Sequence, residues 1–271
     1  MLGVQTRGGV SSVGRNPFRS QARTSCRCSC KKRRHSETER GRERQGDGEG
    51  EGEGEGDDLF ERVFAELDRE AGLYLAHHSH EASPRVPGMG WFYGELSFDA
   101  ARGLLERAKP RRGEVFVDLG SGLGKMVFAA ASLGVLGRSY GIEILPELHE
   151  RATQALDSLA VLQTSREDGE TQNVLQHLSR CSLVCGDMFT FDLRSADLVF
   201  SFATCFASEV MTALELKLAS EMKPGARLIL VSKQLSVAKH LFEPWGPDEG
   251  YVPVEQAHNG NRLDCFLYVK R

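Results

Sequence analysis

With 271 residues and a formal net charge of −4, the chain is long enough for one sizeable hydrophobic core plus a tail, and it needs no second domain. No run of apolar residues reaches the length that spans a bilayer, so a soluble or peripheral protein with no membrane partner is expected. The seven cysteines, Cys26, Cys28 and Cys30 close together and Cys181, Cys185, Cys205 and Cys265 far apart, do not read as a disulfide framework, which points to a reducing compartment.

The charges are segregated along the chain. Residues 1–36 contain no Asp or Glu and many Arg, Lys and Ser, whereas residues 46–58 read GDGEGEGEGEGDD. Residues 1–57 lack periodicity and large apolar side chains, and disorder is expected there. The acid-free start has the composition of an organelle transit peptide, for a plastid or mitochondrion. Lys31, Lys32, Arg33 and Arg34 form a short basic cluster of the nuclear-import or weak nucleic-acid-contact kind. A solvated tail without an address is the third reading. Three alternating cysteines lack a fourth ligand, so no metal site is expected.

Residues 58–110 form a helical and lid extension ahead of the core. Leu59, Phe60, Val63, Phe64 and Leu67 recur at helical spacing and predict an amphipathic helix. His77, His78 and His80 read as a polar loop, and Pro84, Pro87, Gly88 and Gly90 break the chain. Trp91, Phe92 and Tyr93 then precede a helix predicted from Asp99 to Ala108. Such an aromatic cluster is ordinarily core packing. Its place one helix before the first core strand also suits a lid over a ligand, with Glu95 facing that ligand.

Residues 111–271 carry the main domain, organised around residues 114–143. The apolar run Val115, Phe116, Val117 predicts a buried strand that closes in Asp118. Gly120, Gly122 and Gly124 then make a turn into a helix from Met126 to Leu133, and a second strand, Ser139 to Ile142, ends in Glu143. This is a βαβ unit with a glycine turn where open α/β sheets bind ligands. The carboxylate at the strand tip repels phosphate but suits an ammonium or a sulfonium, with Lys125 opening the next turn. S-adenosylmethionine carries both cationic groups. Glu143, 19 residues beyond Gly124, stands where an acid takes two ribose hydroxyls. The plainer alternative is a tight turn followed by an exposed strand end.

A helix follows from Pro146 to about Val161, then a polar stretch, 163–180, and a third strand, Ser182 to Cys185. Asp187, just past it, is placed to accept an adenine amino group with Met188 or Phe189 against the ring; an ordinary Gly-Asp turn is the alternative. The fourth strand, Asp197 to Phe202, is almost wholly apolar, as a central parallel strand must be, and runs into Ala203, Thr204, Cys205 and Phe206. A helix from Ser208 to Met222, a fifth strand, Arg227 to Val231, and two final strands, Tyr251 to Gln256 and Cys265 to Val269, complete the sheet. The helix between strands five and six reads as short or missing.

Four segments together resemble a known family: Tyr93-Gly94-Glu95-Leu96-Ser97-Phe98, Val117-Asp118-Leu119-Gly120-Ser121-Gly122-Leu123-Gly124, Tyr140-Gly141-Ile142-Glu143 and Gly186-Asp187-Met188-Phe189. They are similar to the disruptor-of-telomeric-silencing histone H3 lysine methyltransferases, which lack a SET domain; the likeness covers residues 91 to about 233. It implies an α/β, Rossmann-like, seven-stranded class I S-adenosylmethionine-dependent methyltransferase acting on histone H3 in a nucleosome, in the nucleus. By the same resemblance Glu95, Asp118, Gly120, Gly122, Gly124 and Lys125 surround the methionine part, Glu143 holds the ribose, and Asp187 with Met188 holds the adenine. Where the family ends strand four in Asn-Asn-Phe, this chain has Phe202-Ala203-Thr204-Cys205-Phe206, so Thr204 is the nearest polar substitute.

Desolvation in an aromatic channel keeps an acceptor lysine neutral, and Trp91, Phe92, Tyr93, Phe202, Phe206 and Trp245 are the candidate walls. Thr204, Phe202 and Tyr93 are the candidate catalytic residues. Two other functions fit the same motifs: methylation of a different protein or a small molecule, and a catalytically silent cofactor-binding adaptor.

Overall fold

The computed structural model describes Gly72, Tyr74, Gly94 and residues 96–162, 176–255 and 262–271, all within the unit Glu51–Arg271. The expectations for the tail 1–57, for the helix predicted from Asp58, for His77, His78 and His80, for Trp91, Phe92 and Tyr93, and for Glu95 lie outside the described residues.

Helix α1 (Phe98–Arg107) starts where Ser97 Oγ accepts a hydrogen bond from Ala100 N at 3.2 Å, and it buries Phe98, Ala101, Leu104 and Leu105 on one face. Strand β1 (Val115–Leu119) leads through the glycine turn into α2 (Lys125–Ser132), a helix whose small apolar side chains let it bury almost all round. β2 (Arg138–Glu143), α3 (Pro146–Leu162), with proline at its first position, and β3 (Cys181–Cys185) follow. Then come β4 (Leu198–Phe202), a single 3₁₀ turn (Ala203–Cys205), α4 (Ser208–Glu221) and β5 (Arg227–Val231). The chain ends in β6 (Phe242–Pro244), β7 (Tyr251–Glu255) and β8 (Arg262–Lys270).

The sheet order is β3-β2-β1-β4-β5-β8-β6, with β7 also on β8. β3, β2, β1, β4 and β5 are parallel, and β8 enters antiparallel beside β5. The long β8 carries two short partners on its outer side: β7 on Arg262–Phe266 and β6 on Tyr268–Lys270. The seven expected strand positions therefore hold eight strands, since Trp245 to Gly250 interrupts the edge. Between β5 and β6 the described residues hold only a three-residue 3₁₀ turn, Lys239–Leu241, which is the shortened connection read from the sequence.

One sheet face packs on α1, α2 and α3 through Phe116, Leu198, Phe200 and Ile229; the other packs on α4 through Val117, Leu119, Val199 and Leu228. Alternation along β1 puts Asp118 on the first of these faces, the side covered by α1 and α2. The fully buried runs in β4 and β5 explain why both strands are continuous in apolar residues. The exception in β4 is Ser201, whose Oγ donates to the Leu119 carbonyl at 3.0 Å and so satisfies itself inside the core. At the opposite end of the sheet from the glycine turn, the buried Arg227 guanidinium donates to the carbonyls of Ala108 and Lys109, each at 2.6 Å, and pairs with Glu114. That clamp joins the end of α1 and the entry to β1 to the start of β5.

Candidate active site at the carboxyl ends of the parallel strands

Gly120, Gly122 and Gly124 have φ of 83°, 53° and 80°, left-handed values that only glycine adopts freely, so the alternating glycines build the turn rather than merely decorate it. The amides of Gly120 and Ser121 both donate to the Ile142 carbonyl, at 2.9 and 3.0 Å. The Gly122 amide donates to Glu143 Oε2 at 2.7 Å, while Glu143 Oε1 accepts from Leu145 N at 2.8 Å. Glu143 thus anchors the turn at the tip of the neighbouring strand, and a carboxylate has lone pairs left to accept a hydroxyl.

Asp118 is the unusual group. It is 2% exposed, and its Oδ1 has no hydrogen-bond partner among the described residues. Burial, followed by the nearby Glu143 charge, holds the Asp118 carboxyl well above the usual range; burial also raises Glu143, against the pull of its amide donors. A buried carboxylate oxygen without a donor is costly unless a ligand supplies one. An ammonium group meets that need in both charge and hydrogen bonding. Lys125, the first residue of α2, is buried beside the turn.

Asp187 sits two residues past the end of β3, after Gly186, whose N is bonded to the Glu143 carbonyl at 2.8 Å. Its Oδ1 accepts from Phe189 N at 2.8 Å, so the Gly-Asp turn read from the sequence is present. Met188 is buried with Val117, Leu119 and Ile142, on the face away from Asp118, and half-buried Phe189 packs against the same cluster.

The β4 tip runs between the turn and the residues before α1. Phe206 is buried, and a methyl group added at Gly120 would stand 4.0 Å from its ring. The Phe202 ring lies against Gly94, where an added Cβ would come within 2.3 Å of Phe202 Cε1. Thr204, between them in sequence, is exposed and shares a hydrogen bond of 2.8 Å with Ser232 Oγ across the β4–β5 tips. Asp118, Gly120, Gly122, Gly124, Lys125, Glu143, Asp187, Phe202, Thr204 and Phe206 are therefore gathered at one end of the sheet. Tyr93 and Glu95 lie outside the described residues.

Trp245 does not join them. Its backbone is level with Asp118 but four strand positions away, roughly 19 Å at the usual strand spacing, and its indole donates to the Arg107 carbonyl at 3.2 Å. An aromatic in a Gly/Pro loop carries no sign of which neighbour it will meet. Ser232 and the contact between Gly94 and Phe202 were not legible at all in the sequence. For Ser232 the one signal was its place directly after the fifth strand.

Among the described residues no group of three or more His, Cys, Asp or Glu side chains is arranged to hold a metal, and no helix is long and apolar enough to cross a membrane. The fold is shared with the crystal structure of TrmN from Thermus thermophilus, at 18% identity and a TM-score of 0.50 over 72% of this chain and 53% of that one. A protein-lysine N-methyltransferase of Saccharolobus islandicus is 29% identical over 188 residues, 69% of this chain and 94% of that protein. A histone-lysine N-methyltransferase, H3 lysine-79 specific, from Cryptococcus neoformans is 39% identical over 93 residues, 33% of this chain but only 14% of that much longer protein. The family model described as "Histone methylation protein DOT1" matches residues 87–243, more than half of the chain. The unpartnered Asp118 oxygen beside a glycine turn, in a sheet of this order, suits the methionine end of the donor that such enzymes use. The chain belongs to the DOT1 histone methylation family, and it is a methyltransferase with an α/β, Rossmann-like sheet whose cofactor is S-adenosylmethionine.

Proposed function

We propose that the chain is a protein-lysine N-methyltransferase whose favoured substrate is a lysine in the globular part of histone H3. The observation that carries the reading is the buried Asp118 oxygen with no donor, at the tip of β1 and within reach of the β4 tip, in a chain of this family. The bound cofactor supplies an electrophilic methyl group on a sulfonium. The protein's own residues align and desolvate, and proximity of this kind is worth roughly 7–11 kcal/mol. Asp118 receives the ammonium, Glu143 holds the ribose on the nucleoside side, and Asp187 with Met188 or Phe189 borders the base. Phe202 and Phe206 make the approach to the methyl group apolar, which lowers the pKa of an entering lysine and favours its neutral, nucleophilic form. No general base is needed once the amine arrives unprotonated. Nuclear location and contact with nucleosomal DNA through Lys31, Lys32, Arg33 and Arg34 belong to the same proposal.

A second reading, another protein as acceptor, is favoured by two facts. The lysine methyltransferase of Saccharolobus islandicus is matched over nearly its whole length, whereas the H3-specific relative is matched over a small part. The β4 tip also presents Thr204 in place of the family's Asn. Incubation with radiolabelled cofactor and nucleosomes, free core histones or a cell lysate decides the matter. Label on H3 is the expected result; label confined to another protein moves the assignment to the second reading, and retained cofactor binding without any label overturns both.

A further inference from the structure

The Thr204–Ser232 hydroxyl pair is a polar feature at the carboxyl ends of β4 and β5 that the cofactor does not account for. Ser232 has a φ of 68°, a left-handed conformation that is uncommon for a residue with a Cβ. It persists because its surroundings hold it there. Its amide donates to the Asp264 carbonyl at 2.7 Å, and its hydroxyl meets Thr204. The loop that follows is pinned three further times. Leu235 N donates to Tyr268 Oη at 3.4 Å, and buried Glu215 on α4 accepts from Ser236 N at 2.9 Å and Ala238 N at 2.8 Å. Glycine would take this conformation without strain, so a serine here keeps a hydroxyl at a fixed point at some cost in stability.

That point lies where β4 and β5 end side by side, Phe202 opposite Val231, with Phe202 and Phe206 as the apolar flanks. Within the pair one hydroxyl donates to the other, and both oxygens keep lone pairs that can accept. We infer that Ser232 is an acceptor-positioning residue: with Thr204 it forms a two-hydroxyl cradle that takes the N–H groups of an incoming amine and turns its lone pair toward the transferable methyl. The inference rests on the proposed lysine-directed activity for its setting, but it concerns the amine and not the macromolecule that bears it. The two hydroxyls are anchored just past the ends of two different strands, β4 and β5.

The test uses a cofactor analogue with a short aminoalkyl arm in place of the transferable methyl, compared with the same analogue carrying a plain alkyl arm. Calorimetry on the full chain should show the wild type preferring the amine arm by about tenfold, the worth of a pair of hydrogen bonds. Ser232→Gly and Thr204→Val should each abolish most of that preference, and the double variant should do no more than either alone. Affinity for the demethylated cofactor should stay within about twofold, and the Ser232→Gly melting temperature should equal or exceed that of the wild type. Equal preference in Ser232→Gly, or no preference in the wild type, overturns the inference even if lysine methylation is observed. Absence of label on any protein sinks the proposed function while leaving this measurement readable.

Discussion

Gly122 N and Glu143 Oε2 stand 2.7 Å apart, a hydrogen bond between residues 21 positions apart in the chain that fastens the glycine turn after β1 to the acid that ends β2. Glu143 is thus a strut of the turn as well as a candidate ribose ligand, and the two roles make a single prediction. Glu143→Gln can still accept one of its two amides but must present an NH₂ group to the other. An orphaned buried amide costs about 1–3 kcal/mol. Amide exchange at Gly122 should accelerate and cofactor affinity should fall, both measurable on the same sample by hydrogen exchange and calorimetry.

Asp118 makes cofactor binding depend on pH. Its folded pKa lies above the unfolded value of 3.8, because burial and the Glu143 charge disfavour the ionised form. Between those two values the folded state binds more protons than the unfolded one, so the free protein loses stability as pH rises through that window. An ammonium needs the ionised form. Affinity should therefore rise with pH up to the folded pKa, by about tenfold per unit, with release of a proton on binding. Calorimetry in buffers of different ionisation enthalpy reads that proton directly, and no buffer dependence below the folded pKa would refute the assignment.

Replacing the same residue separates stability from function. Asp118→Asn removes the buried charge, so the free protein should melt at a higher temperature at neutral pH. Cofactor affinity should fall roughly 10- to 100-fold, the value of a charged hydrogen bond. A thermal-shift series with and without cofactor shows both effects.

Gly94→Ala should damage transfer without damaging cofactor binding. The new Cβ would meet the Phe202 ring at 2.3 Å, and overpacking of this kind costs about 1–3 kcal/mol. The ring is then driven from the β4 tip, and kcat/KM for the acceptor should drop about tenfold. Adding Phe202→Leu should restore part of that loss, because the smaller side chain makes room.

The Arg227 clamp predicts the opposite profile. Arg227→Met leaves the carbonyls of Ala108 and Lys109 and the Glu114 carboxylate without their partner, and breaking a buried pair costs about 3–5 kcal/mol. The melting temperature should fall on the order of 10 °C, with cofactor affinity unchanged at temperatures where the protein is folded.

The parallel half of the fold was legible because its physics is local. Val115 to Val117 and Leu198 to Phe200 are continuous apolar runs, as strands covered on both faces must be; Asp118 follows directly from where the first run stops, and Glu143 closes the second strand of the βαβ unit. In the parallel half, helix and strand ends shifted by a residue or so, since caps such as Ser97 extend an element past its apolar pattern, whereas β8 begins three residues before the expected Cys265. The antiparallel edge was harder. Phe242-Glu243-Pro244 is too short and too polar to announce itself as a strand, and Trp245 looked like a channel wall until the partner of its indole was known. Ser232 could not be found from residue type, because its left-handed backbone is held by Asp264 and Thr204 from two other elements.

The divided edge beside β8 also governs how molecules meet one another. An outermost strand presents unpaired amides and carbonyls on which a foreign strand can template itself. Here that rim offers three residues, then a break, then five, and a proline in each piece, Pro244 and Pro253, removes a donor. At high concentration this flank should resist strand-to-strand aggregation, so the molecule can keep a long, apolar β8 without exposing its length to a neighbour.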